Sequence, residues 1–218
     1  MSNEPSAATR VYEVVKELIL TSEIPGGDLI SEGDVARRCA VSRTPVREAF
    51  LRLEAEGWMR LYPKRGALVL PVTDREAGDV LRARLLLEGH AVAQIVDRPA
   101  VRAVVLDELR ANLADHRGVE SSDIAAFSRI DARFHQLIVA AGDNQLIAGF
   151  FSSLGERHRR MTTASVQRDP GVVARIFDDH AALIDAIESG DPMAFDAALA
   201  AHLTSVHQGP STYGQAIR

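Results

Sequence analysis

Cysteine is nearly missing from this chain: Cys39 is the single one among 218 residues. No disulfide can form within the chain, and a metal site built on CxxC pairs is excluded. Cys39 follows Arg37 and Arg38 in a helical stretch and reads as a small hydrophobe, with a redox sensor as the alternative. Aromatic residues make up only 5%, yet a hydrophobic content of 46% is enough for a real core, in one domain or two. No apolar run approaches the ~20 residues of a membrane-spanning helix. The opening MSNEPSAATR has no apolar stretch of the signal-peptide kind. A cytoplasmic protein with no membrane partner is the expectation.

Positive charge is not in excess either, since the net charge is −5. The deficit is uneven. Residues 1 to 72 hold ten Arg/Lys and ten Asp/Glu, and the remainder holds fifteen against twenty. A neutral front part can still present a basic face if its charges segregate. Glycine-rich phosphate loops and coherent internal repeats are absent too.

What is there centres on Val41 to Gly57, VSRTPVREAFLRLEAEG. Ser42 suits an N-cap, and Pro45 falls in the first helical turn, where its missing N–H costs nothing. Val46, Ala49, Phe50 and Leu53 recur at helical spacing and define a packing face. Arg43, Thr44 and Arg47 stand at the front of this helix, off the apolar stripe. Two forked donors and a short hydroxyl at a helix N-terminus suit phosphate and base edges, although a solvated surface helix with a Glu48–Arg52 pair would also carry them.

The flanking elements favour the first reading. Helical periodicity runs from Ala7 to about Thr21 and ends before the IPGG turn at Ile24 to Gly27. Leu29-Ile30 reads as an apolar link. Ser31 caps a second helix with Asp34 in its first turn, and a tight turn at Ala40-Val41 leads to the third, a helix-turn-helix pattern. After Gly57 the period changes. Trp58–Tyr62 and Ala67–Leu70 read as strands around the turn Pro63-Lys64-Arg65-Gly66, a hairpin with a basic tip able to reach phosphate or the minor groove.

The order of these elements, the IPGG turn and above all the VSRTPVREA string resemble the winged-helix domain of the GntR family of bacterial transcription regulators. The resemblance implies operator DNA as partner, with Ser42, Arg43, Thr44 and Arg47 as readers. It implies that Lys64, Arg65 and Gly66 serve the wing, Gly66 by letting its backbone approach the minor groove. One departure stands out: some members carry a base-contacting arginine after the glutamate that opens the second helix, whereas here Gly33 follows Glu32.

Pro71 to Asp74 begins a second domain, with Thr73 or Asp74 as cap. Six helices are expected, at about 74–97, 101–117, 123–141, 143–166, 172–189 and 192–208. Asp131 and His135 share one helix face, four residues apart, and could bind one ion together. His180 and His202 lie near the inner stripes of the last two helices. One carboxylate and three imidazoles suit a borderline divalent cation. Taken singly, each is as compatible with an ordinary core position, and His90, His116, His158 and His207 read as background.

Residues 74 to 208 resemble the all-helical effector domain of the FadR-like branch of the same family, on LRARLLLE at Leu81–Glu88, Asp131 with Phe134-His135, Asn144, DHAALIDAI at Asp179–Ile187, and Ala201-His202-Leu203. The resemblance implies a mainly α fold: an N-terminal winged helix-turn-helix over residues 1–72, then an antiparallel bundle of six to seven helices over 73–210, with 211–218 as a tail. It implies Asp131, His135, His180 and His202 as ligands of a divalent ion, zinc first, with nickel, manganese or iron compatible. Arg84 would clamp a small organic acid, or simply pair with Glu88, and Asn144 would line the cavity. The expected protein is a homodimeric DNA-binding regulator, a repressor before an activator, controlled by a small carboxylate. A metal-responsive regulator is the alternative. A metal-dependent enzyme is the weaker one, since no extra general base such as that of an HExxH helix accompanies the cluster.

Overall fold

The computed structural model describes residues 5–120 and 122–207; the expected tail lies outside them. The described chain divides into two compact units, one ending at Val72 and the other beginning at Thr73.

The first unit holds α1 (Ala7–Leu20), β1 (Leu29–Ile30), α2 (Glu32–Arg38), α3 (Arg43–Ala55), β2 (Met59–Tyr62) and β3 (Gly66–Val69). Helix α1 begins where the Ser6 hydroxyl accepts from Thr9 N–H, and α2 where Ser31 accepts from Asp34 N–H. Ser42 occupies the N-cap position of α3 but makes no capping hydrogen bond, so its hydroxyl is not committed to the helix. Val46, Ala49, Phe50 and Leu53 are buried against Val11, Val15 and Ile19 of α1. Burying each large apolar side chain contributes about 1.5–3 kcal/mol.

Leu29-Ile30 is more than a link. It is an edge strand, paired antiparallel with β3 through Leu29↔Leu68 and Ile30↔Ala67, so the wing sheet has three strands in the order β1-β3-β2. A two-residue strand carries no alternation to read, and only its long-range partner makes it one. Arg52 also departs from expectation. It pairs with Glu56 at 3.2 Å, its guanidinium 3.6 Å from the Tyr12 ring centre, rather than with Glu48. Glu56 draws it because that carboxylate is already anchored by Tyr12, Lys16 and Trp58.

The second unit is all-helical: α4 (Asp74–Ile95), α5 (Pro99–Arg117), α6 (Ile124–Ala141), α7 (Gln145–Arg168), α8 (Val172–Ser189) and α9 (Pro192–His207). Thr73 caps α4 and Asp123 caps α6. Gly190 ends α8 in the left-handed conformation, φ +72°. Short connections bring consecutive helices side by side; α6 packs on α5, α7 and α4, and α9 on α8 and α4. Val92, Ile95, Leu109, Phe134, Ile138, Leu183, Ile187, Phe195 and Leu199 form the main core. Helices α4, α5, α6, α8 and α9 turn inner stripes to this core, and polar residues lying on the stripes are forced together.

Candidate nucleic-acid interface and metal centre

In the first unit Ser42, Arg43, Thr44 and Arg47 are all exposed at the N-terminal end of α3, while Val46 among them and Ala49 just after are buried. The apolar stripe that fixes α3 therefore fixes these four side chains on its outer face. A Cβ at Gly33 would lie 3.6 Å from a terminal nitrogen of Arg43, so the missing side chain leaves Arg43 room at the start of α2.

Lys64 and Arg65 are exposed at the hairpin tip, where Arg65 N–H donates to the Tyr62 carbonyl at 3.0 Å. Lys64 adopts φ +64°. Proline before a residue with positive φ is the pattern of a type II turn, whose third position favours glycine or asparagine. A lysine there bears roughly 1–2 kcal/mol of backbone strain. Gly66 has an internal reason for its identity. With φ +103°, a Cβ on it would lie 2.3 Å from the Ile30 carbonyl oxygen, so glycine is what lets β1 pair with β3.

In the second unit Arg84 and Glu88 on α4, Asp131 and His135 on α6, His180 on α8 and His202 on α9 are each at most 1% exposed. One ligand atom each of His135, His180 and His202 lies within 4.8 Å of the other two. The fold thus brings together the three imidazoles that spacing alone could not. Asp131 reaches His180, Oδ1 to Nε2, at 3.4 Å, and a second group of the same tightness joins it to His180 and His116.

The rings are held from behind. His135 Nδ1 lies 2.7 Å from Glu88 Oε2, and His202 Nδ1 lies 3.2 Å from Asp179 Oδ2. With those carboxylates ionised, each Nδ1 carries the proton and each Nε2 keeps a lone pair. Neither Nε2 has a hydrogen-bond partner among the described residues, nor does either nitrogen of His180. A carboxylate behind an imidazole whose other nitrogen is free is the support that metal-binding histidines receive. Burial, then the charge of Arg84 for His135 and the neighbouring imidazoles for both, pushes His135 and His180 well below their ordinary range. They stay neutral, the form that binds a cation. Burial works against Asp179, but bonds from His202 and Ser205 outweigh it and hold its carboxyl below the usual value.

Arg84 is fully buried and pairs with Glu88. Its Nε donates to Glu88 Oε1 at 2.8 Å, yet Nη1 and Nη2 have no partner among the described residues. An unpaired pair of guanidinium nitrogens in a dry interior is a standing deficit that an anion with two oxygens would remove. Burial pushes Glu88 up to about 7 against the pull of Arg84.

One expected cavity residue lies elsewhere. Asn144 is exposed, and its carboxamide oxygen accepts from Leu146 and Ile147 N–H. It caps α7 and lines no interior. His116, His158 and His207, read from the sequence as ordinary core or surface positions, are buried, at 0%, 2% and 4% exposure. His158 Nε2 lies 3.2 Å from Thr162 Oγ1, which donates to Asp131 Oδ2 at 3.0 Å. The His207 ring centre is 5.3 Å from that of His158. Their signal was visible only as helical phase: each falls on an inner stripe. His90 is exposed.

Comparison with known proteins agrees with both units. Residues 7–69 match the model of the bacterial regulatory proteins of the gntR family, and residues 79–205 match the FCD domain. A helix-turn-helix transcriptional regulator from an unstable DNA locus of Streptomyces ambofaciens is 30% identical over 200 residues, covering 90% of this chain and 81% of that protein. The gluconate operon transcriptional repressor of Bacillus subtilis is 27% identical over 198 residues, 87% of this chain and 79% of that one. A GntR regulator structure from Rhodococcus sp. RHA1 shares the fold, with a TM-score of 0.70 at 21% identity, covering 93% of this chain and 96% of that one. Among the described residues no helix is long and apolar enough to cross a membrane. An exposed recognition helix and basic wing, a helical second unit and matches over both make this chain a member of the GntR family with an FCD domain, a DNA-binding transcription regulator and not an enzyme.

Proposed function

We propose that this regulator is a repressor whose hold on its operator is set by a small carboxylate, bound beside a divalent cation in the helical domain. The observation that carries this reading is the convergence of His135, His180 and His202, fully buried, neutral or backed by carboxylates, with Nε2 of each making no hydrogen bond among the described residues. Asp131, His135, His180 and His202 would hold the ion, zinc first by ligand type, with nickel, manganese or iron as alternatives. Such an ion supplies a Lewis-acidic attraction for a carboxylate oxygen. The buried, half-satisfied guanidinium of Arg84 supplies the other half of an acid's binding site. Gluconate, whose operon the Bacillus subtilis relative represses, is a small carboxylate of the kind proposed.

On the DNA side, Ser42, Arg43, Thr44 and Arg47 read the major groove, while Lys64 and Arg65 hold the wing to the backbone or minor groove. A homodimer would place two recognition helices on a pseudo-palindromic site, one helical turn apart. Leu86 on α4 and Leu146 and Phe150 on α7 are large apolar side chains left exposed on neighbouring helices, a candidate dimer face. Effector and operator then compete by preferring different states of the dimer.

Metal analysis of the purified protein, paired with thermal-shift screening of mono- and dicarboxylates and of neutral sugars before and after chelation, tests the reading. A bound divalent ion, a shift with one acid that the chelator removes, and release of operator DNA by that acid are expected. Absence of metal together with a chelator-insensitive shift from a neutral sugar overturns it. A metal that alone controls DNA binding would instead favour the metal-responsive reading.

A further inference from the structure

The four ligands singled out by spacing and resemblance are not the whole of the buried cluster. Two triads form, sharing His180: His135, His180 and His202, and His116, Asp131 and His180. Within each, one ligand atom per residue lies within 4.8 Å of the other two. Ligands on opposite sides of one ion are separated by about 4.2 Å, twice a metal–nitrogen bond. The second triad meets the same 4.8 Å limit as the first, and it is the one that contains the carboxylate.

His116 is the unexpected member. It lies on α5, fully buried, its ring centre 4.1 Å from that of Phe127, 5.2 Å from Phe177 and 5.8 Å from His180. The Phe127 backbone engages the ring, yet neither nitrogen completes a hydrogen bond of normal geometry among the described residues. A leucine or phenylalanine would fill that aromatic wall without leaving a polar atom unpaired. With neither ring nitrogen hydrogen-bonded among the described residues and one of them near a carboxylate and a second imidazole, the buried ring is free to give a lone pair to a cation.

We infer that His116 is a further ligand of the cation centre, acting with Asp131 and His180, so that the ion ties α5 to α6 and α8. The inference rests on the reading of this cluster as a cation site, and the test separates the two.

The full chain, with 15N-labelled histidine, is loaded with cadmium-113, a spin-active divalent ion. Coupling to the metal splits the ring nitrogen of each ligating histidine, so assigned ring spectra count the ligands in the unaltered protein. The His116 ring nitrogen is expected to be split, as that of His180 is. In parallel, His116→Asn is expected to weaken cadmium binding at least tenfold with an unchanged circular dichroism spectrum. Should that variant not fold, the spectra of the parent chain decide. Splitting confined to His135, His180 and His202, or a folded variant that binds as tightly as the parent, overturns the inference and leaves the cation site standing. No binding of cadmium, zinc or nickel overturns both.

Discussion

One carboxylate joins the two halves of the buried site: Glu88 Oε2 lies 2.7 Å from His135 Nδ1, and Oε1 of the same group accepts from Arg84 Nε at 2.8 Å. The proposed cation ligand and the proposed anion clamp thus share a single brace. Anything that moves Glu88 moves both, which gives the interior a physical means of linking metal and acid.

Glu88→Gln keeps the shape of this brace but removes its charge. Metal affinity should fall about 10- to 100-fold, the usual effect of losing a carboxylate behind a ligating histidine. Competition with a chelator of known affinity measures it. An unchanged dissociation constant would show that His135 needs no such support.

Arg84→Met removes the clamp while leaving the ligands in place. The thermal shift produced by a carboxylate should vanish, whereas metal content should persist. Breaking a buried pair typically costs about 3–5 kcal/mol, but Glu88, already pushed up to about 7, can take a proton and soften the loss. The expected destabilisation is therefore nearer 3 than 5 kcal/mol, read from denaturant titration.

Arg47→Ala should weaken specific DNA binding by at least tenfold, on the scale of about 1–3 kcal/mol for a lost base contact. Arg47 is exposed on α3 and takes no part in its core, so the melting temperature should not move. Fluorescence anisotropy with operator and with random DNA separates specific from general affinity. Equal loss on both would mark Arg47 as a phosphate contact only.

The wing offers two substitutions of opposite sign. Gly66→Ala drives a Cβ to 2.3 Å from the Ile30 carbonyl oxygen at φ +103°; it should lower the melting temperature and weaken the β1–β3 pairing. Lys64→Gly relieves a positive φ and should hold or raise the melting temperature while reducing DNA affinity and its salt dependence by about one phosphate contact. A glycine at 64 that both destabilises and leaves DNA binding untouched would contradict this account of the tip.

Acid should destabilise the metal-free protein. Burial first, then neighbouring positive charge, holds His135, His158, His180 and His207 well below their ordinary value. As pH falls below about 6.5 the unfolded chain takes up protons that these folded rings refuse, so their contribution is present above that pH and lost beneath it. Glu88 acts in the other direction: raised to about 7, it takes up its proton in the folded state first and favours folding as pH drops. Four imidazoles outweigh one carboxyl. The melting temperature in chelator should fall between pH ~7.5 and ~5.5; a flat or rising profile would mean the rings are less buried than they look.

Much of this was legible in the chain. Ser31 and Thr73 cap the helices they precede, because a cap acts on its own helix and its signal is local. The apolar stripe of α3 fixed in advance which face carries Arg43, Thr44 and Arg47. Asn144 misled for the same reason: after a glycine break, a carboxamide that caps and one that lines a cavity look alike until the chain around them is folded.

What the sequence determined by itself was the helices and the hairpin, the division near residue 72 and the polarity of each helix face, all consequences of periodicity and capping over a few residues. Tertiary structure alone decided that Leu29-Ile30 is a strand, that Arg84 pairs with Glu88 while Nη1 and Nη2 find no partner among the described residues, and that His116 stands with Asp131 and His180. Those facts depend on helix rotation and on pairings between residues tens of positions apart. No local propensity encodes such distances; they arise when several apolar stripes must be buried in one core at once and the polar side chains on them have nowhere else to go.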